Sequence, residues 1–342
     1  MLNGIARLLP LALAIAPHMV AGQITTMPVA PSTGRRVDIG GGQRIYLNCT
    51  GSGSTTVILE AGAGDFAEVW SLVQPKVAEL TRVCSYDRGG YGWSDPGSRP
   101  RTYAQLAIEL RTALDRAGEK PPYVLVGQSY GGLVVRGFAG RYAREVRGMV
   151  LVDPVHEDQQ IVWGGEAHRL RDGARGRTAP APRIALDTEF LRMARDSSAM
   201  SSGDTLPPPL DRLPAEVQRL WKWSASQPLY RMAWAAEMDW SPEELARMHV
   251  ERETNRASLG SIPLVVLART KSAPADTLER ERQALMADLA ALSTRGRLEY
   301  APASGHNIHI EEPELVVRAI KECLSPRSRV TPSFSTRPDV RR

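Results

Sequence analysis

The stretch "VGQSYGG" (126–132) places Ser129 between Gly127 and Gly131, at a change of hydrophobic rhythm. Before it, "PPYVLVG" (121–127) is short, apolar and β-branched, the pattern of a buried strand. After it, "LVVRGFAGRYAREV" (133–146) carries apolar residues at helical spacing. Ser129 is therefore expected on a sharp turn from strand to helix. The two glycines suit such a turn, because strand and helix pass too close for a Cβ.

Working outward, strands and helices alternate. A first strand near 36–39 and "RIYLNCTG" (44–51) read as an opening hairpin. "TTVILEAGAG" (55–64) and "TRVCSYDRGGYGWSD" (81–95) are strands running into glycine-rich loops, and "YAQLAIELRTALDRAG" (103–118) is an amphipathic helix. "VRGMVLVDP" (146–154) follows the serine unit. Strand "IPLVVLA" (262–268), a helix near 276–293, strand "RLEYAP" (297–302) and helix "EEPELVVRAIKECL" (311–324) close the series. Strands apolar on both faces imply a mostly parallel sheet covered on each side.

The segment 155–261 breaks this rhythm. It shows no strand pattern and holds five of the seven tryptophans, Trp163, Trp221, Trp223, Trp234 and Trp240. Helices are expected at 183–196, 214–226, 228–238 and 241–256, the last opened by Ser241, Pro242 and Glu244 as N-cap, first-turn proline and capping box. The reading is a helical cap laid over the sheet.

The ends differ in character. Residues 1–22 combine Arg7, an apolar run from Leu8 to Ala16 and small residues at Ala21 and Gly22, the pattern of a signal peptide, so export is expected. Residues 326–342, rich in Ser, Pro and Arg, read as a disordered basic tail. The net charge of +5 reflects 38 arginines against 5 lysines spread along the chain. No aromatic-and-basic stripe or zinc-type spacing points to nucleic acid. Of the three cysteines, Cys49 and Cys84 fall in expected strands; a disulfide would need those strands to be neighbours, and buried free thiols are the preferred reading.

A serine hydroxyl needs a base and a stabilised oxyanion. Among six histidines, His306 follows Gly305 on a loop after the last strand and gives the chain order serine, acid, histidine. His156 lies just past a strand end and is its competitor, while His309 is expected at the surface or supporting the site from behind. The backbone N–H of Tyr130, at the start of the serine's helix, supplies one oxyanion donor. The loop "AGAG" (61–64) supplies the other, assigned to Ala63.

Four stretches, "VILEAGAG", "SYDRGGYGWSD", "LVGQSYGGLVVRGFAGRYAREVRGMVLVDP" and "SGHNIHIEEPELV", resemble the α/β-hydrolase superfamily, of the capped kind that includes lipases, esterases and prolyl aminopeptidases. The resemblance implies an eight-stranded, mostly parallel sheet with the cap inserted after the sixth strand, and a core over 35–154 and 262–325. The second stretch resembles the family's D-x-R-G-x-G-x-S turn, where Asp87 and Arg88 would brace the loop. Where many members have His-Gly, this chain has Ala61-Gly62. Most members carry the triad acid shortly after the seventh strand, which here leads to Asp276; some lipases carry it after the sixth, where "LVDP" offers Asp153. Asp153 is preferred, with Glu157 and Asp158 next in line should both fail.

The implied activity is carboxylesterase-like hydrolysis of a small, apolar acyl compound without cofactor or metal, since no metal cluster, dinucleotide fingerprint or phosphate loop is visible. Amide or amino-terminal peptide cleavage on the same machinery is the nearest alternative. A ligand-binding module without turnover is the alternative from another class. Oligomeric state is not legible.

Overall fold

The computed structural model describes residues 30–197, 206–270 and 277–325. The expected signal peptide, the basic tail and Asp276 lie outside the described residues. Eight strands form one sheet: β1 (Gly34–Gly40), β2 (Gln43–Thr50), β3 (Thr56–Glu60), β4 (Arg82–Tyr86), β5 (Tyr123–Gln128), β6 (Val146–Val152), β9 (Leu264–Arg269) and β10 (Gly296–Ala301). Their spatial order is β1-β2-β4-β3-β5-β6-β9-β10, and only the pairs made by β2 are antiparallel.

Alternation along the strands sorts the core into two layers. Val57, Leu59, Val124 and Val126 face α1 (Gln74–Ala78) and α9 (Pro313–Leu324). Ile58, Tyr123 and Leu125 face α2 (Tyr103–Ala117), α3 (Tyr130–Arg141) and α7 (Thr277–Ala290). Every residue of β3 and β5 is buried, as their unbroken apolar runs require. Helix α2 has the expected ends: Thr102 Oγ1 accepts from the N–H of Gln105 at 3.1 Å, and Gly118 takes the left-handed conformation at φ 83°. No helix among the described residues is long and apolar enough to cross a membrane.

Three expectations are corrected. Cys49 and Cys84 form a disulfide and are not free thiols. β4 inserts between β2 and β3, which places the two cysteines directly opposite each other; Cys323 remains free and buried on α9. The segment after β6 does contain strands, the hairpin β7 (Gln160–Trp163) and β8 (Glu166–Arg169), turned at Gly164 and Gly165. Its strands are four residues long and β8 is largely exposed, too short a run for apolar alternation to mark a strand.

The third correction concerns the helices of that segment. α4 (Thr188–Arg195) starts later than expected because Asp187 caps it, accepting from Phe190 N at 3.0 Å. α5 (Ala215–Ser226) is as expected, but α6 runs unbroken from Pro228 to Thr254 through Pro242. The foreseen capping box is used otherwise. Ser241 Oγ donates to the Glu237 carbonyl one turn back, and Glu244 accepts from the N–H of Tyr103, capping α2. A tertiary contact has taken over a local signal.

Candidate active site

Ser129 stands between the end of β5 and the start of α3, with φ 53° and ψ −120°. This backbone is strained for a residue with a Cβ, and its surroundings hold it. Ser129 N donates to the Val152 carbonyl at 3.1 Å, while its own carbonyl accepts from Gly132 N and Val155 N at 3.0 and 3.2 Å. A Cβ on Gly127 would lie 2.5 Å from the Gly131 carbonyl oxygen, and one on Gly131 would lie 2.6 Å from the carbonyls of Glu60 and Ala61. The start of α3 therefore packs directly against the end of β3. Tyr130 is the first residue of α3, where an N–H has no partner within its helix. Within the loop Ala61–Gly64, Ala63 is exposed while its neighbours are buried.

Asp153 follows β6 and is 2 % exposed, with φ 41°. Its Oδ2 lies 2.6 Å from His306 Nδ1. The same carboxylate accepts from Arg269 N at 3.1 Å, Arg269 Nη1 at 2.7 Å and Arg282 Nη1 at 3.1 Å. Burial alone would push this acid up; the His306 hydrogen bond and the charge of Arg269 outweigh it and hold Asp153 below the usual carboxylate range. The structure thus joins the two residues that sequence could not pair with certainty. Nothing in the sequence marked Arg269 or Arg282, which reach Asp153 only because β9 lies beside β6.

His306 is 44 % exposed, and its other ring nitrogen, Nε2, lies 3.4 Å from Gln128 Nε2. No hydrogen bond links Nε2 to the Ser129 hydroxyl among the described residues. The rival histidines are engaged elsewhere. His156 is 1 % exposed, 3.1 Å from Asp288 Oδ2, and its Nδ1 accepts from Asp158 N. His309 is not at the surface: it is buried against Trp70 at a ring separation of 4.8 Å, and burial pushes its pKa down to about 3. Helix α8 (Ile308–Glu311) turns it inward directly after the His306 loop. Glu157 takes both arms of Arg136, and Asp158 pairs with Arg171 and His249.

Beneath the Ala61–Gly64 loop lies a buried network. Arg88 Nη1 donates to Glu60 Oε1 at 2.6 Å and to the Ala61 carbonyl at 2.8 Å, and Nη2 to the Gly62 carbonyl at 2.9 Å. Its remaining edge meets Glu237 of α6 at 2.9 and 3.2 Å, and Tyr91 also donates to Glu237. Burial pushes Glu60 up to about 6 against the opposing charge of Arg88. Asp87 accepts from Ala67 N and Trp93 N, both at 2.9 Å, so Asp87 and Arg88 brace the loops on either side. Glu237 escaped sequence reading because it sits on a helix with no local motif.

The sequence profile described as the alpha/beta hydrolase family matches residues 57–319. The Bacillus subtilis protein YqjL, itself uncharacterized, is 27 % identical over 270 residues, 79 % of this chain and 83 % of its own. An AB hydrolase superfamily protein of Gibberella zeae is 24 % identical over 299 residues, covering 83 % of this chain and 92 % of that one. Among solved structures, an esterase from Thermogutta terrifontis superposes with a TM-score of 0.57 at 20 % identity, over 84 % of this chain and 97 % of that chain.

Proposed function

The chain belongs to the alpha/beta hydrolase family, and from that premise we propose that it is a serine hydrolase cleaving a carboxylic ester through an acyl-enzyme. The observation that carries this reading is the 2.6 Å contact of Asp153 with His306 Nδ1, made beside the strained Ser129 turn.

With Asp153 accepting a hydrogen bond from Nδ1–H, Nε2 of His306 is left unprotonated and free to act as base. It takes the proton of Ser129 as Oγ attacks the carbonyl carbon, and the carbonyl oxygen becomes an oxyanion facing the N–H groups of Tyr130 and Ala63. Collapse expels the alkoxide, which leaves with the proton from Nε2. Water, deprotonated by the same nitrogen, then attacks the acyl carbon, and Nε2 returns that proton to Ser129 Oγ as the bond breaks and the carboxylic acid leaves. A serine at the elbow, rather than a carboxylate, favours acyl transfer over epoxide or halide chemistry. Tyr230 and Trp234 of α6, which abut Gly64, support a substrate with an apolar or aromatic-contacting group.

A fluorophosphonate probe tests the reading. The folded protein is expected to be labelled at Ser129 and to hydrolyse p-nitrophenyl butyrate, with both lost in Ser129→Ala. A folded protein neither labelled nor active on a broad ester panel would overturn it. We further propose export to an oxidising compartment, which the Cys49–Cys84 disulfide supports; recovery of the protein in the cytosolic fraction alone would contradict it.

A further inference from the structure

The reaction scheme leaves one carboxylate at the site without a task. Asp65 directly follows the Ala61–Gly64 loop, and its Oδ1 accepts from Trp221 Nε1 of α5 at 3.1 Å. Its Oδ2 receives no hydrogen bond and forms no ion pair among the described residues. That oxygen closes over Gly62: a Cβ there would lie 3.4 Å from Oδ2 and 2.3 Å from Gln128 Oε1. Gln128 in turn neighbours Nε2 of His306. One side chain separates Asp65 from the base.

Aromatic groups border the same loop. Tyr230 and Trp234 stand one turn apart on α6, and a Cβ on Gly64 would lie 2.5 Å from the Tyr230 hydroxyl and 3.7 Å from Trp234 Cδ1. Trp234 is 45 % exposed. Burial raises the pKa of Asp65; the Trp221 hydrogen bond and the charges of Arg88 and His306 lower it without cancelling the effect. The guanidinium of Arg88 is already spent on Glu60, Glu237 and two carbonyls. Asp65 is half-buried, and a carboxylate with one neutral donor there favours a ligand that brings a positive charge. Aromatic faces beside it add to the attraction.

We propose that Asp65, Tyr230 and Trp234 form a subsite for an organic cation, and that the acyl compound cleaved at Ser129 carries an ammonium group a few bonds from its scissile carbonyl. This substrate class rests on the serine-hydrolase reading above. Two pairs of esters test it, each differing only in charge. For the acyl side, p-nitrophenyl 4-(trimethylammonio)butyrate is compared with p-nitrophenyl 5,5-dimethylhexanoate. For the alcohol side, butyrylthiocholine is compared with 3,3-dimethylbutyl thiobutyrate. In at least one pair the wild-type protein is expected to show kcat/KM about tenfold or more higher for the cation. In Asp65→Asn that ratio is expected to fall about tenfold, and Asp65→Glu to restore part of it. A wild-type ratio at or below one in both pairs overturns the proposal even if no variant folds, as does a preference that Asp65→Asn leaves unchanged. Fluorophosphonate labelling and turnover of the neutral esters report separately on the catalytic reading, so the two can fail independently.

Discussion

The ends of the central strands and the segment between β6 and β9 meet at the same loop, but they are encoded differently. At the strand ends each feature has a short-range cause. Ser129 sits where β5 turns into α3, and Asp153 sits where β6 stops. In the intervening segment the decisive side chains act at a distance. Glu237 reaches back to Arg88 across 149 positions, and Glu244 caps a helix 141 positions away. Local chemistry is readable one window at a time; chemistry that exists only after packing is not.

The sharpest way to break this contrast is Asp153→Asn. If the strand-end reading is right, turnover of p-nitrophenyl butyrate falls by about a thousandfold or more while the circular dichroism spectrum stays native. A mild effect would mean that the legible half of the molecule was misread and the Asp153–His306 contact only shapes the loop. Next, Glu237→Ala probes the long-range half. Removing one partner of a buried pair leaves Arg88 under-compensated, and urea denaturation is expected to show a loss of about 4 kcal/mol. A loss no greater than that of an exposed glutamate would remove the basis for treating this contact as decisive.

A pH measurement sharpens the boundary between the two regions, because Glu157 of the inserted segment pairs with Arg136 of α3. Burial opposes its ionisation, but the charge and hydrogen bonds of Arg136 win and hold Glu157 at about 2, below its ordinary 4.5. A lowered pKa stabilises the fold above about 4.5, and the benefit is lost as pH falls from there toward 2. Glu157→Gln should therefore cost at most about 3 kcal/mol at pH 7 and flatten the stability profile between pH 4.5 and 2, as followed by thermal melts. The smallest effect is expected at Pro242→Ala. Restoring an N–H inside α6 is expected to raise stability by about 1 kcal/mol. A loss would show that the helix depends on the proline's packing against Gly173.

The same contrast accounts for how much could be read in advance. The order of strands and helices in the sheet-bearing core, the Ser129 turn and the loop that carries His306 were legible because each lies within a window of periodic sequence. Two acids were left in competition because distance from a histidine 153 positions away is not a local quantity. The disulfide was misjudged for a related reason: the crossing of β4 between β2 and β3 is a property of the sheet. Ser241, Pro242 and Glu244 misled because their local signature was genuine, yet α6 and α2 put the same groups to other uses.

The hold of Glu237 on Arg88 also bears on how freely α6 can move. Lifting α6 away from the sheet would sever the two charge-assisted hydrogen bonds between them. Together these are worth about 3 kcal/mol, which keeps the lifted form below about one molecule in a hundred. A motion that leaves the Arg88–Glu237 pair intact avoids that cost.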